Sequence, residues 1–119
     1  MQRLLYVLAL LIFALPVHAD PLTLSTKYQA TGTNPNGSKY SGTVDIRVIS
    51  NSTFSVKWTI AGATYEGFGM RMNDALAATY TIDGEPGLVI YKVEGKDLDG
   101  LWAIRGHNGD GSEHLTPLN

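Results

Sequence analysis

The sequence contains no cysteine among its 119 residues, and this absence excludes several classes of protein. Without thiols the chain has no disulfide scaffold, no zinc–thiolate site, no thiol nucleophile and no cysteine that a lipoprotein anchor would use. An excess of basic charge is also missing, because 9 Lys and Arg stand against 11 Asp and Glu, for a formal net charge of −2. Nucleic-acid binding is therefore not expected, since it requires a basic surface to neutralise phosphates.

Long hydrophobic runs are scarce, and the one that stands out lies near the N-terminus, over residues 4–15. This run is shorter than the ~20 apolar residues that a permanent transmembrane helix needs. Pro16 ends it, and Val17 and Ala19 provide small residues where a signal peptidase would cleave. The pattern is typical of a secretory signal. We expect residues 1–19 to be a signal peptide and the protein to be exported, periplasmic or secreted, without permanent membrane insertion.

A sustained helical period is absent from the rest of the chain, where apolar and polar residues alternate instead. Turn-forming sequences rich in Gly, Asn, Asp and Pro separate the alternating segments. The pattern predicts a single domain, residues 20–119, with about eight strands: 22–33, 39–50, 54–60, 63–72, 75–82, 88–93, 98–105 and 112–118. Because the connections are short, successive strands are expected to pair antiparallel as an up-and-down meander.

The register of these hairpins predicts how the sheet folds. We place two-residue loops at Ala61-Gly62 and Asn73-Asp74, four-residue loops at 83–86 and 94–97, and a three-residue loop at 51–53. Nearly every large apolar side chain of six consecutive strands then lies on one face. The predicted fold class is therefore all-β, an antiparallel meander that closes into a small β-barrel and leaves no open edge. A two-sheet β-sandwich is the alternative.

The inward face is one candidate site, because an eight-stranded barrel is either filled by its own side chains or holds one small ligand. In the predicted register Phe54 covers Gly69 and Tyr91 covers Gly100, so rings fill part of the interior while the glycines open space. A small apolar ligand would bind among inward-facing residues, with an arginine at the mouth of the lumen: Trp58, Tyr65, Tyr91, Trp102 and Arg71.

The outward face is a second candidate, because several large apolar side chains point away from the predicted core: Phe68, Met70, Met72, Leu88, Ile90 and Leu101. Contiguous exposed apolar patches mark interfaces, and Met suits adaptable ones. This set predicts a contact surface for a protein partner or for a second copy of the chain in a homo-oligomer. In a sandwich, the same residues would instead be buried between sheets.

Constellations for catalysis or metal binding are lacking. The segment 108–113, near His107 and His114, has a distant similarity to a calcium loop but lacks its acidic first ligand and flanking helices. Most carboxylates, such as Asp83 and Asp110, fall in predicted turns, where solvated charge is expected. No serine lies in a nucleophile elbow. We therefore predict no catalytic, cofactor or metal site, and no enzyme.

Several stretches of the chain resemble a family of small exported bacterial proteins of unknown function. They are GTNPNGSKYSGTV at 32–44, YEGFGMR at 65–71, GLVIY at 87–91, GLWAI at 100–104 and EHLTP at 113–117. Members often carry the automatic label fibronectin-binding protein. The resemblance implies an extracellular-matrix protein as a partner, but it brings no set of binding residues.

Together these observations predict an exported, non-enzymatic binding module that recognises another macromolecule through its outer patch or its open end. A matrix protein such as fibronectin is the partner that the family resemblance implies. Two alternatives remain open at this point: a carrier of a small apolar ligand in the barrel lumen, and an inhibitor of an envelope or host enzyme. No cofactor is expected for any of them.

Overall fold

The computed structural model describes residues 23–118, which form eight β-strands joined by short turns. The strands are β1 (Lys27–Thr33), β2 (Lys39–Val48), β3 (Thr53–Ile60), β4 (Ala63–Met72), β5 (Ala75–Ile82), β6 (Glu85–Glu94), β7 (Asp97–Ile104) and β8 (Gly111–Pro117). Each strand pairs antiparallel with the next, and β8 pairs with β1, so the sheet closes into a barrel. Within residues 23–118 no helix has the length and apolar character needed to cross a membrane. The predicted signal peptide, residues 1–19, lies outside the described residues.

The predicted eight-stranded up-and-down barrel is confirmed, because a single closed sheet leaves no second sheet for a sandwich. The two-residue loops at 61–62 and 73–74 are as predicted. The loops predicted at 83–86 and 94–97 are shorter than expected, since Ile82 pairs with Glu85 and Glu94 pairs with Asp97. Each loop loses two residues, an even number, so the predicted inward face is unchanged.

Three strand boundaries differ from the prediction by more than one residue, and one of them is the start of β6, which lies at Glu85 rather than at residue 88. The first strand begins at Lys27 rather than at residue 22. Strand β2 ends at Val48, which pairs with Phe54, so the predicted three-residue loop at 51–53 is a longer connection over residues 49–52. Thr53 accepts hydrogen bonds from the backbone N–H groups of Ile49 and Ser50 within this connection. These backbone bonds replace the ladder bonds that two further residues of β2 would have made.

The core consists of inward-facing side chains from seven of the eight strands, and the partly buried Tyr65 of β4 packs against it. Alternation along each strand sends one set of residues inward and leaves the other set exposed. The buried apolar residues are Tyr28, Ala30, Val44, Ile46, Phe54, Val56, Trp58, Leu76, Ala78, Val89, Tyr91, Leu98 and Leu115.

Aromatic rings in this core lie against glycines on the neighbouring strand. Five such pairs stand directly opposite each other in the sheet: Tyr40 and Gly32, Phe54 and Gly69, Tyr80 and Gly87, Tyr91 and Gly100, Trp102 and Gly111. A Cβ atom on any of these glycines would lie 2.2–2.6 Å from a ring atom of its partner. The predicted coverage of two glycines by Phe54 and Tyr91 is therefore confirmed, and the arrangement recurs around the barrel.

The two ends of the barrel differ. The upper end is formed by the connections at 34–38, 61–62, 83–84 and 105–110, and the lower end by those at 49–52, 73–74 and 95–96. At the lower end Leu24 packs against the core, and only a small space of about 50 Å³ remains beside Phe54. The large space lies at the upper end, which is where a ligand could enter.

Candidate functional site

A cavity of about 300 Å³ occupies the upper half of the barrel. Its wall carries five aromatic side chains from β2, β3, β4, β5 and β7: Tyr40, Trp58, Tyr65, Tyr80 and Trp102. Ile60, Ile82 and Val89 add aliphatic surface. A second space of about 530 Å³ shares Ile82 and Trp102 with the cavity and lies between the loops at 34–38 and 105–110. The cavity therefore adjoins an opening at the loops of the upper end.

Four rings of the wall pack edge to face in two pairs. Trp58 and Tyr80 pack with ring centroids 5.2 Å apart and planes at 61°, and Tyr40 and Trp102 with centroids 6.3 Å apart and planes at 67°. This geometry is favourable because the positive edge of one ring meets the negative face of the other. The Nε1–H of Trp102 also donates to the carbonyl oxygen of Ser112 at 3.3 Å. Four of the five aromatic rings of the wall are thus held by contacts within the protein itself.

A buried carboxylate, that of Glu113 on β8, also contributes to the wall of this cavity. Glu113 is 4% exposed, and it is the buried charged residue of the described part of the chain. It stands between two glycines, Gly32 on β1 and Gly100 on β7, which are its direct partners in the sheet. The rings that cover these two glycines are those of Tyr40 and Tyr91, and this packing brings their hydroxyl groups next to the carboxylate.

Three donors converge on this carboxylate. The Tyr40 hydroxyl donates to Oε1 at 2.8 Å, the Trp58 indole N–H donates to Oε2 at 3.0 Å, and the Tyr91 hydroxyl also donates to Oε2. The Trp58 N–H additionally lies 3.1 Å from the Tyr91 oxygen, so these two side chains form one network with Glu113. Such bonds offset part of the large cost of removing a carboxylate from water.

The electrostatics of the site follow from burial. Desolvation raises the pKa of Glu113, and the hydrogen bonds from Tyr91, Tyr40 and Trp58 act in the opposite direction. Burial and the nearby Glu113 charge raise the pKa of Tyr80 to about 12 and also raise the pKa values of Tyr40 and Tyr91. The tyrosines around the carboxylate are therefore neutral donors at any physiological pH.

The structure brings together most of the predicted lumen residues. Trp58, Tyr65 and Trp102 line the cavity. Tyr91 is buried beneath it and reaches the site through its hydroxyl. Arg71, predicted at the mouth of the lumen, lies instead at the lower end of the barrel, where its Nε donates to the carbonyl of Asn51 at 2.6 Å.

Sequence reasoning missed Glu113 as a site residue. It considered Glu113 only as part of the calcium-like segment 108–113, although the predicted strand 112–118 already contained this residue, and β8 carries its side chain inward. The available signal was alternation along β8, where Gly111, Glu113 and Leu115 share the buried face. Within residues 23–118, no three His, Cys, Asp or Glu side chains cluster closely enough to hold a metal ion.

The predicted outer patch is exposed on β4, β6 and β7. Its six side chains are between 53% and 76% exposed: Phe68, Met70, Met72, Leu88, Ile90 and Leu101. The sheet register connects them, because Met70 is opposite Ala77, Ala77 is opposite Ile90, and Ile90 is opposite Leu101. These residues therefore form a continuous apolar row across four strands, with Phe68 and Leu88 in the next row.

Comparisons with known proteins find solved structures of similar fold. No protein-family model matches the chain, and no curated protein matches it. Among solved structures, a redesigned β-barrel is 16% identical with a TM-score of 0.68, covering 81% of this chain and 92% of that one. A second redesigned barrel, mFAP1 bound to DFHBI, is 19% identical with a TM-score of 0.62, covering 78% and 94%. A mutant of the fluorescent protein UnaG is 9% identical with a TM-score of 0.54, covering 81% and 96%. At these identities the similarity concerns the fold alone: the chain shares a closed antiparallel β-barrel with these proteins.

Proposed function

We propose that this protein is a non-enzymatic binding module that holds one small, largely apolar molecule in the upper half of its barrel. One observation carries the proposal, namely the cavity of about 300 Å³, walled by five aromatic side chains and adjoining an opening between loops. Small-molecule sites have volumes of ~300–1,000 Å³ and combine apolar walls with a few polar groups. A cavity at the lower limit of that range suits a molecule with one or two rings.

Binding is favoured over catalysis by the composition of the wall. The wall contains one carboxylate and no histidine, lysine or serine within the described residues. A hydrolase or transferase site needs a nucleophile or an acid–base pair, and a lone buried carboxylate that already accepts three hydrogen bonds provides neither. The mFAP1 barrel, of similar fold, holds the small molecule DFHBI. Together with the expected signal peptide, these features suit a carrier outside the cytoplasm.

The proposal is tested by titrating the protein with the neutral two-ring fluorescent probe 6-propionyl-2-(dimethylamino)naphthalene and following the rise and blue shift of its emission. The variant Ile82→Trp places a large ring in the cavity wall, so the affinity for the probe should fall at least tenfold. Thr81→Trp, on the exposed face of the same strand, is the matched control and should bind like the wild type. Absence of saturable binding to the wild type, or equal binding by both variants, would contradict a lumen site.

A second candidate function rests on the outer patch. Six large apolar side chains that are each more than half exposed form a surface typical of a protein contact. The resemblance to proteins labelled as fibronectin-binding suggests fibronectin as the first partner to test. Immobilised fibronectin should bind the wild type, and Ile90→Asp should abolish that binding without unfolding the barrel. Ser41→Asp, on the exposed face of β2, is the control. If Ile90→Asp and Ser41→Asp bind equally, the patch is not the contact surface.

A further inference from the structure

The charge of Glu113 has no positive partner in the described part of the chain. The ion pairs there involve Lys27 with Asp45, Arg105 with Glu85, and His114 with Asp97 and Asp99. No lysine, arginine or histidine among residues 23–118 lines the cavity. All three groups that donate to Glu113 are neutral. A buried carboxylate without a counter-charge is costly, and the cost falls when a cation binds next to it.

The carboxylate also retains a free acceptor position. Each carboxylate oxygen has about two lone-pair sites. Oε2 accepts from both Tyr91 and Trp58, whereas Oε1 accepts from Tyr40 alone. Glu113 contributes to the cavity wall. One hydrogen-bond acceptor is therefore open to a donor on a bound molecule.

The aromatic rings around the cavity also favour a positively charged group on the bound molecule. Trp58, Tyr80 and Trp102, together with Tyr40 and Tyr65, enclose the cavity that Glu113 lines. The face of an aromatic ring attracts a cation, and the attraction is largest where water is excluded. A wall that combines aromatic rings with one unpaired carboxylate disfavours an anion and favours an ammonium group.

We propose that the ligand of this cavity is a small organic ammonium ion, whose N–H donates to Oε1 of Glu113 and whose ring-sized apolar body packs among the aromatic side chains. This inference rests on the proposed function, since it names the chemical class of the molecule bound at that site. It also gives Glu113 a role that a purely structural residue would not have. A core glutamate would be satisfied by its three donors, whereas this one also selects the charge of the ligand.

The test is a matched series of three probes measured by calorimetry at pH 7.5: 2-phenylethylammonium, 2-phenylethanol and 3-phenylpropanoate. The three have the same ring and a similar chain but differ in charge. The cation should bind at least tenfold more tightly than the alcohol, and the anion should not bind measurably. If the alcohol binds as tightly as the cation, the charge inference is wrong while the lumen site stands. If none of the three binds and the neutral fluorescent probe also fails to bind, the proposed function itself is wrong.

The variant Glu113→Gln assigns the selectivity to this carboxylate. It should reduce the preference for the cation over the alcohol to less than twofold while binding of the neutral fluorescent probe persists. Glu66→Gln, on the exposed face of β4, is the matched control and should keep the full preference. A cation preference that survives in Glu113→Gln would overturn the role of this residue.

A measurement on the unmodified protein covers the case in which Glu113→Gln does not fold. Protonation of Glu113 at low pH should weaken binding of the cation and leave binding of the alcohol unchanged. The other titratable groups that face Glu113 are Tyr40, Tyr80 and Tyr91, whose raised pKa values keep them neutral across the acidic range. An alkyl ammonium is also fully charged there. An equal response of the two probes to pH would overturn the inference.

Discussion

At single positions the barrel depends on glycine wherever an inward-facing ring lies close against the neighbouring strand. Glycine weakens a strand because it adds no side-chain packing and has a large conformational entropy when unfolded. An aromatic ring on the opposite strand compensates by covering the bare backbone. The five cross-strand pairs of ring and glycine follow this rule and account for five of the 13 glycines, while six others lie in turns with positive φ.

Gly69→Ala tests this dependence. A Cβ at position 69 would lie 2.3 Å from the carbonyl oxygen of Ala77 and 2.5 Å from the ring of Phe54. Because the first of these atoms is backbone, the sheet itself must shift, and overpacking of this kind costs ~1–3 kcal/mol. Thr64→Ala, at an exposed position of the same strand, should lower the free energy of unfolding by only a small fraction of the loss expected for Gly69→Ala. Urea denaturation measures both, and equal costs would show that the close approach is not a constraint.

His114 gives a second prediction at the residue scale. Its Nε2 lies 2.9 Å from Asp97 and its Nδ1 lies 3.2 Å from Asp99, and these hydrogen bonds raise the pKa of the histidine. Because the pKa is higher in the folded state, the stabilisation is present below the unfolded value of ~6.5 and is lost as the pH rises through the folded pKa. His114→Gln should therefore lower the free energy of unfolding at pH 5.5 and change it little at pH 9.

The expected size of this effect is below ~1 kcal/mol, because all three side chains are substantially exposed to water. Thermal denaturation of the wild type and of His114→Gln at the two pH values measures it. Asp97→Asn should cause a loss of stability with the same pH dependence as His114→Gln. The double variant with both substitutions should be little less stable than either single variant. A loss of stability that is larger at pH 9 than at pH 5.5 would contradict the sign.

The limits of sequence reasoning at this scale are visible at Glu113. Burial of a carboxylate is unfavourable on its own, so a polar segment such as 108–113 is expected to be solvated. Burial of the Glu113 carboxylate is tolerated only because it accepts hydrogen bonds from Tyr40, Trp58 and Tyr91. These donors are 73, 55 and 22 positions away in the chain. No local pattern carries that information. The alternation of β8 indicates only that position 113 faces inward.

At the scale of elements, the turns determine the register in which the two strands of each hairpin pair. In the β3–β4 hairpin the central residues Ala61 and Gly62 have φ values of 52° and 82°. Two consecutive residues with positive φ are what a type I′ turn requires, and this turn matches the twist of the flanking strands. Gly62 adopts the conformation freely, whereas the side chain of Ala61 makes it unfavourable by ~1–2 kcal/mol.

Ala61→Asn should therefore stabilise the barrel. Asparagine tolerates the left-handed region better than alanine, so we expect a gain of ~0.5–1 kcal/mol. For a domain of this size, such a gain raises the melting temperature by several degrees. Gly62→Ala, at the next position of the same turn, should have the opposite effect. A decrease in melting temperature for Ala61→Asn would show that the turn strain is not what limits this hairpin.

The loop at 83–86 shows why turn lengths were harder to predict than strand faces. Pro86 and Gly87 are typical of a loop, and proline is rare inside a sheet because it has no N–H to donate. The structure accommodates Pro86 as the second residue of β6, opposite Thr81, where its carbonyl still accepts from the N–H of Arg105. The prediction of which residues face inward was nevertheless correct, because side-chain direction depends only on whether the loop length is odd or even.

At the scale of the whole molecule, the barrel is packed in its lower half and open in its upper half. The closed meander was predictable, because one continuous apolar face over consecutive hairpins has few other solutions. The location of the free space was not, since it depends on the directions in which large rings pack. The position of Arg71 was predictable in principle: β4 begins at the upper end, so its last residues, including Arg71, lie at the lower end.

Two inward-facing positions on β5 test this difference between the halves. Leu76 is fully buried in the lower core, whereas Ile82 is half-buried in the cavity wall. Leu76→Ala leaves a void among packed side chains and should cost ~3–5 kcal/mol, within the usual range for core truncations. Ile82→Ala removes a side chain that already borders empty space, so it should cost less than ~1 kcal/mol. Urea denaturation of the ligand-free protein measures both, with the exposed Thr79→Ala on the same strand as the control. Similar large costs at both positions would mean that the upper half is packed in solution, and a ligand site in the lumen would then have no room.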